Sequence, residues 1–201
     1  MVFSGGGGGT EDNPYRITHL EHLMEIGEGR KYYILMRDLD FQDDSHYLDL
    51  DNKPLYTTGS GFSPVIFGGN FDGNKHVIRN YYSQNNSLFR SASGTPYVVI
   101  HHVGLENVHI DVTGVYVGGF INEVNIDPNN HIHNCYVTGY VKGTGITSSF
   151  VGGFAALFQN GLLENCWADC EVIGFTSFNQ QFSSTASGFV SQQGYTIFVP
   201  L

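Results

Sequence analysis

An internal repeat constrains the fold of this chain more than any other feature. Its first phrase is an aliphatic residue placed two positions before an asparagine. The phrase occurs four times, with its asparagines at Asn80, Asn107, Asn134 and Asn165, separated by 27, 27 and 31 residues. A period of roughly 20 to 50 residues is typical of solenoids, propellers and other repeat arrays.

A second phrase alternates with the first along the chain. Val-Gly-Gly-Phe ends at Phe120 and Phe154, and a decayed Ala-Ser-Gly-Phe copy ends at Phe189. The intervals are 34 and 35 residues, and Ser87-Leu88-Phe89 is a still weaker earlier copy. The alternation predicts that each structural unit contains both phrases.

The residues around the repeats favour strands over helices. Segments 108–112, 135–141 and 168–172 are rich in β-branched and aromatic residues that alternate with polar ones, as in half-buried strands. A propeller blade needs four strands in about 40 to 45 residues, more than these units can hold. We therefore predict an all-β parallel β-helix of about five to six coils, each with three short strands and three bends. A β-sandwich is the alternative.

Equivalent residues of successive coils should stack about 4.8 Å apart. The repeat then predicts one inward column formed by Ile78, Leu105, Ile132 and Leu163, and a neighbouring one formed by Tyr81, Val108, Cys135 and Cys166. The four asparagines should form a single hydrogen-bonded file at a bend, since asparagine tolerates the left-handed conformation. The Gly-Gly pairs should mark tight corners where a Cβ does not fit.

The N-terminal region differs from the repeats, as expected for a solenoid cap. Residues 1–9, with five consecutive glycines, are predicted to form a flexible tether. A single β-helix domain should follow over 10–201, with degenerate repeats over about 65–195. Thr18 and Glu21 have the spacing of a capping box, which predicts a short capping helix over about 18–27.

The C-terminal tail, residues 196–201, is apolar. Exposed at the end of a solenoid, such a tail would be prone to aggregation. The sequence therefore predicts either that it folds over the last coil or that it docks on a partner. The second alternative implies a homo-oligomer or a contact with other virion or surface proteins.

Composition excludes several classes of partner. Nine Lys and Arg stand against nineteen Asp and Glu, giving a net charge of −10. This balance disfavours nucleic acid, whose phosphates are bound by Lys and Arg, and it disfavours anionic lipid. No apolar run approaches the roughly 20 residues of a membrane span, and the first residues lack the features of a signal peptide. Cys135, Cys166 and Cys170 are too few for a disulfide framework and are predicted to be small buried hydrophobes.

Several segments together resemble the GLUG-motif repeat proteins. They are the glycine-rich opening, 10–17, 33–40, 71–78, 103–108, 117–120 and 134–139. The resemblance spans roughly residues 5–190 and implies a right-handed parallel β-helix used for surface display, as in adhesin-like and phage-associated proteins. The usual Gly-Leu-Val-Gly of the motif is degenerate here, and the motif carries no catalytic residue.

No catalytic, cofactor or metal site is predicted. Six carboxylates, Asp38, Asp40, Asp43, Asp44, Asp49 and Asp51, crowd one stretch that has the oxygen ligands calcium prefers, but the spacing is not that of an EF-hand. Among the nine histidines, His131 and His133 share strand parity and lie near His101, His102 and His109. Without a regular third ligand we interpret them as solvent-facing side chains. The scattered carboxylates do not predict the converging pair that glycoside hydrolysis requires.

The sequence thus predicts a non-enzymatic attachment module at a virion or extracellular surface, such as a phage tail fibre, tail spike or capsid decoration. Glycans are the expected ligand class, and Tyr116, Tyr136, Tyr140 and Trp167 can serve as contact or packing residues. A secreted bacterial adhesin-like protein and a polysaccharide-degrading β-helix enzyme are the alternatives.

Overall fold

A computed structural model describes residues 3–27, 29–49, 51, 56–90, 97–124, 127–145, 149–176 and 184–199. Every pairing between two strands within this part of the chain is parallel. The chain is therefore a parallel β-solenoid, as predicted, and not a β-sandwich. None of its helices is long and apolar enough to span a lipid bilayer, as far as the described residues extend.

The described strands are short, and seventeen of them occur along the chain. They are β1 (Tyr15–Ile17), β2 (Lys31–Leu35), β3 (Leu39–Asp40), β4 (Gly69–Asp72), β5 (Val77–Arg79), β6 (Tyr82–Ser83), β7 (Val98–His101), β8 (Gly104–Thr113), β9 (Tyr116–Gly118), β10 (Ile121–Val124), β11 (His131–His133), β12 (Tyr136–Gly145), β13 (Ser149–Gly152), β14 (Ala155–Glu164), β15 (Trp167–Thr176), β16 (Ser184–Ser187) and β17 (Val190–Val199). Two 3₁₀ helices, Leu20–Met24 and Asp44–His46, complete the described elements.

Three sheets run along the solenoid. The first stacks β1, β2, β4, β7, β11, β14 and β17, with β10 beside the first half of β14. The second stacks β3, β5, β8, β12 and β15, with β6 beside β8, and the third stacks β9, β13 and β16. Because the third sheet has three described strands, about three coils are complete, instead of the predicted five to six.

The predicted inward column is really two columns. Ile78 stacks on Leu105, which continues to Val137 in the next coil. Ile132 stacks on Leu163 in the first sheet, in line with Ile100. The prediction of one column was wrong because the aliphatic-x-Asn phrase occurs at two different corners of the coil. The 27 residues from Asn107 to Asn134 therefore lead from one corner to the other and do not complete a coil.

The asparagines divide in the same way. All four have the left-handed conformation, with φ between 50° and 58°. The Asn107 amide donates to Asn80 Oδ1 at 2.6 Å, and the Asn165 amide donates to Asn134 Oδ1 at 3.2 Å. Opposite Asn107 in the next coil stands Thr138, whose hydroxyl accepts its backbone N–H. Two short files at two corners therefore replace the predicted single file, and the predicted column from Tyr81 to Cys166 divides with them.

The prediction that each structural unit contains a copy of the Val-Gly-Gly-Phe phrase is confirmed. The aromatic rings of Phe89, Phe120, Phe154 and Phe189 pack one on the next, with centroid separations of 5.1, 4.6 and 5.1 Å. Ser87-Leu88-Phe89 is thus the earlier copy that the sequence indicates. A Cβ on Gly119 would overlap the carbonyl oxygen of Gly153 one coil away, so the glycines permit a close approach of stacked backbones.

The N-terminal cap differs from its prediction. Instead of a helix over 18–27, the chain forms a 3₁₀ helix from Leu20 to Met24 whose N-cap residue, His19, makes no side-chain capping bond. The hydroxyl of Thr18 lies 2.9 Å from His19 Nδ1 and does not cap the helix. Leu20 and Leu23 are still buried against the core, so the segment covers apolar surface without a regular α-helix.

The described segments nearest the two ends of the sequence both form backbone hydrogen bonds. The glycine segment forms backbone hydrogen bonds with its neighbours, Gly8 with Asn13 and Arg16 with Gly6, which differs from the predicted flexible tether. At the other end, the backbone of 196–199 belongs to β17, which pairs with β14 as the last described rung of the first sheet. Residues 200–201 of the predicted tail lie outside the described residues.

Candidate functional site

A groove on the second sheet combines aromatic rings with polar side chains. The chain bends at one corner of this sheet, where Asn80 and Asn107 have positive φ, and aromatic side chains after the bend lie in a row. Tyr82, His109 and Tyr140 occupy equivalent positions on β6, β8 and β12. Their rings stack at 5.4 and 4.9 Å between centroids. This row forms a partly solvent-exposed ladder of stacked rings, with their edges toward solvent, across three coils.

Polar groups surround the row. The groove has a volume of about 480 Å³ and is lined by Gln42, Thr57, Asn80, Tyr81, Tyr82, Asn107, Val108, His109, Gly139, Tyr140 and Glu171. Asn80 is held from below because its amide donates to Asp40 Oδ1 at 2.7 Å. We call these lining residues the tyrosine groove. It offers amides, hydroxyls and a carboxylate beside a stack of rings, a composition suited to a ligand with apolar faces and many hydroxyls.

A chain of ionic and polar contacts runs beside the groove along the outer face of the second sheet. Arg79 bonds Asp38 through Nη1 and Glu106 through Nε, both at 2.8 Å. The Tyr136 hydroxyl donates to Glu106 at 2.6 Å. Burial and this neighbouring carboxylate raise the pKa of Tyr136 to about 12. The contacts link four successive rungs of the second sheet, from the start of β3 to β12, and hold Tyr136 in place.

The predicted contact aromatics separate into three locations. Tyr140 is the one that lies in the tyrosine groove. Tyr136 stacks on Trp167 with 4.6 Å between centroids and an interplanar angle of 4°. Tyr116 stacks on Phe150 on the third sheet. Sequence reasoning missed Tyr82 and His109, whose register with Tyr140 follows from the bend at Asn107.

The acidic stretch does not converge on a single point. Asp38 binds Arg79 and His76, and Asp40 accepts from Asn80. Asp43 accepts from the amide and the hydroxyl of Ser45. The carboxylates of the stretch are absent from the group of potential metal ligands that the described residues bring together. Their oxygens instead stabilise local turns and neighbouring strands.

A cluster of histidines covers the outer face of the first sheet. His101 and His133 face each other on β7 and β11 with stacked rings, 5.1 Å between centroids. His131 packs against His133 at 4.4 Å, and its Nε2 lies 3.3 Å from Glu164. His102, at the adjoining corner, contacts the rings of His101 and His133. Sequence reasoning paired His131 with His133 but missed the stacking across coils.

Burial keeps part of this cluster neutral. Desolvation, reinforced by the neighbouring imidazoles, lowers the pKa of His133 to about 4. The pKa of His101 is also lowered, chiefly by burial, although Asp72 acts in the opposite direction. Both rings are therefore uncharged at pH 7, and each has one nitrogen lone pair available as an acceptor or a ligand.

The cysteines are free thiols. Cys135 is buried, whereas Cys166 and Cys170 are half-buried, so the prediction of buried hydrophobes is correct in full for the first. Burial raises the pKa of the Cys135 thiol well above its usual range and raises that of Cys170 to about 11. These two thiols are protonated at neutral pH, which disfavours a role as nucleophiles.

The described residues define a parallel β-solenoid that carries an aromatic groove and a histidine cluster on its surface. No family model matches the chain, and no curated protein matches it. The chain is similar in fold to the crystal structure of a putative immunoglobulin A1 protease from Bacteroides ovatus, with a TM-score of 0.50 and 19% identity. The alignment covers 96% of this chain and 69% of that one. At this identity the similarity concerns the fold alone.

Proposed function

We propose that this chain is a non-enzymatic attachment module, displayed at a virion or extracellular surface, that binds glycans in the tyrosine groove. The observation that carries the proposal is the stacked row of Tyr82, His109 and Tyr140 beside amide and carboxylate groups. The ring edges that the stack leaves exposed offer apolar contact to sugar rings, while amides and carboxylates can form hydrogen bonds with the sugar hydroxyls.

The groove favours binding over cleavage. Glycoside hydrolysis needs two carboxyl groups, about 5 to 9.5 Å apart, on either side of the scissile bond. Glu171 is the carboxylate among the described lining residues, and Asp40 beneath them is engaged by Asn80. This composition supports a binding surface over a polysaccharide-degrading enzyme.

Surface display is supported by the stiffness of the fold and by the resemblance to GLUG-motif repeat proteins. Stacked coils with side-chain contacts between successive rungs form a rigid support. A phage tail fibre, tail spike or capsid decoration is the first form of the proposal, and a secreted bacterial adhesin-like protein is the alternative. Self-association would occur through the C-terminal end, where β17 is the last described rung of the first sheet.

A glycan array probed with the labelled chain tests the binding proposal. We expect a restricted set of glycans to bind, and Tyr140→Ala to weaken binding at least tenfold because it removes one ring from the row. Tyr116→Ala, which removes an aromatic residue from the third sheet, is the matched control and should bind as the unmodified chain does. Binding that Tyr140→Ala leaves unchanged would contradict the assignment of the groove.

Two further measurements separate the alternatives. A reducing-end assay on each bound glycan should detect no new ends, and steady cleavage would favour the enzyme. For the proposed self-association, light scattering of the chain with and without 196–201 should show a loss of oligomer on truncation. If the full chain is already monomeric before truncation, the proposed self-association is wrong.

A further inference from the structure

One corner of the solenoid brings together three side chains of metal-ligand type. Asp72, His101 and His102 each offer one atom, and these atoms all lie within 4.8 Å of one another. Asp72 ends β4, and His101 stands opposite it at the end of β7, one coil further on. The three residues lie where the chain leaves the first sheet and turns toward the second.

The backbone conformation of His102 produces this arrangement. Neighbouring residues of a strand point to opposite faces, so His101 and His102 would diverge in an extended chain. The positive φ of His102, 54°, breaks this alternation. As a result, His102 Nδ1 lies 3.0 Å from His101 Nδ1, and His101 Nδ1 lies 3.3 Å from Asp72 Oδ1.

These separations match the edges of a metal coordination shell. A ligand nitrogen or oxygen lies about 2.0 to 2.2 Å from Zn²⁺, so two ligand atoms are about 2.9 Å apart at a right angle and about 3.4 Å apart at the tetrahedral angle. The two observed distances fall in this interval. In the absence of an ion, two imidazole nitrogens at 3.0 Å must share one proton.

We propose that Asp72, His101 and His102 bind a divalent late transition-metal ion of the zinc class at this corner. The donor set of two imidazoles and one carboxylate suits such an ion better than Ca²⁺ or Mg²⁺, which prefer oxygen. The proposal is independent of glycan binding because none of the three residues lines the tyrosine groove.

Neighbouring groups hold the ligands in position. The Asn74 backbone N–H donates to Asp72 Oδ1 at 2.7 Å, which orients the carboxylate. The Asn134 side-chain amide lies 3.1 Å from His102 Nε2. Turning the side-chain amides of Asn134 and Asn165 together, which exchanges the oxygen and nitrogen of each, preserves the hydrogen bond between them, lets Asn134 accept the Nε2 proton and so frees Nδ1 for the ion. Such outer contacts are usual at metal-bound histidines. The stacked His133 ring limits solvent on one side.

Calorimetric titration of the full chain with Zn²⁺ tests the proposal. We expect one saturable site per chain, an increase in Tm on binding because the ion links two coils, and no comparable site for Ca²⁺. X-ray absorption of the zinc-loaded chain should show two imidazole ligands.

The variants are chosen to keep the fold. His102→Asn retains a residue that tolerates positive φ, as Asn134 and Asn165 do at the equivalent corner of later coils. Asp72→Asn retains the oxygen that accepts from Asn74. Each should weaken zinc binding at least tenfold and remove the increase in Tm, while circular dichroism stays unchanged. His109→Gln, which changes a histidine outside the cluster, is the control for zinc binding alone and should bind Zn²⁺ as the unmodified chain does.

Two results would overturn the proposal. One is the absence of saturable zinc binding to the full chain. The other is a saturable site that His102→Asn and Asp72→Asn leave intact, which would place the ion elsewhere, for example at His19 and His22. If either variant misfolds, anomalous diffraction from a zinc-loaded crystal of the unmodified chain locates the ion, and an ion away from Asp72, His101 and His102 overturns the proposal.

Discussion

Asparagine combines two properties at the bends of this solenoid. Its short amide side chain lowers the cost of a left-handed residue, which is about 1 to 2 kcal/mol for most others. The same amide then bonds the residue above or below it, as Asn107 does with Asn80 and Asn165 with Asn134. His102 occupies the equivalent position of one coil with φ 54°. One position in the repeat can therefore change its chemistry while it keeps its backbone conformation.

His22 makes the stability of the N-terminal cap sensitive to acid. It is 2% exposed, and its Nδ1 accepts the backbone N–H of Thr18 at 3.1 Å. Burial, assisted by His19, lowers the pKa of His22 below 6.5, although Glu25 and Glu21 act in the opposite direction. Because the folded state disfavours the proton, the free energy of unfolding should fall as the pH drops below about 6.5.

Urea unfolding at pH 7, 6 and 5 measures this effect. His22→Asn keeps an acceptor for Thr18 but does not titrate, so its stability should decline less over the same interval. Identical pH profiles for the variant and the unmodified chain would exclude His22 as the origin.

At the scale of elements, the sequence predicted the parallel coils but not which copies of the asparagine phrase stack on one another. Strand composition and the Val-Gly-Gly-Phe intervals were sufficient for the parallel stack, because Phe120 and Phe154 recur once per coil. The asparagine phrase occurs at two corners of one coil, so counting residues could not tell which copies stack. The contacts of His101 across coils were missed for the same reason, since its proximity to Asp72 and to His133 depends on register. The cap was mispredicted because Thr18 contacts histidine rings in place of capping the helix.

The Gly-Gly corner is an element whose tolerance can be measured. Gly119→Ala places a methyl group against the carbonyl oxygen of Gly153, so successive coils must separate locally. We expect a loss of about 1 to 3 kcal/mol in the free energy of unfolding, measured in urea. Gly27→Ala is the matched control, since a Cβ there meets nothing within 4 Å, and it should change stability by about 0.5 kcal/mol or less. Equal losses in both variants would indicate a general effect of alanine.

For the whole molecule, stability should vary along the axis. Each rung contacts chiefly its two neighbours, so inner rungs are supported on both sides and end rungs on one. In the first sheet β7 and β11 are paired on both sides, whereas β1 and β17 pair on one side among the described strands. The central strands of the first sheet should therefore be more stable than its terminal strands.

Hydrogen exchange with mass spectrometry tests this gradient. Amides of β7 and β11 should exchange at least tenfold more slowly than those of β1 and β17, because the ends open without disturbing the middle. Uniform protection from one end to the other would mean that the whole stack opens as a single cooperative unit.

The parallel register of adjacent rungs also governs how such a molecule can change in length. Tyr136 to Gly145 matches Trp167 to Thr176 residue for residue, so the upper surface of one coil presents the same docking pattern as the coil above it. The interval from Val137 to Ala168 is 31 residues. A duplicated segment of about this length could pair with the existing coil in the same register and would extend the solenoid axis by about 4.8 Å. Gene duplication can thus elongate this architecture in whole increments while the tyrosine groove keeps its form.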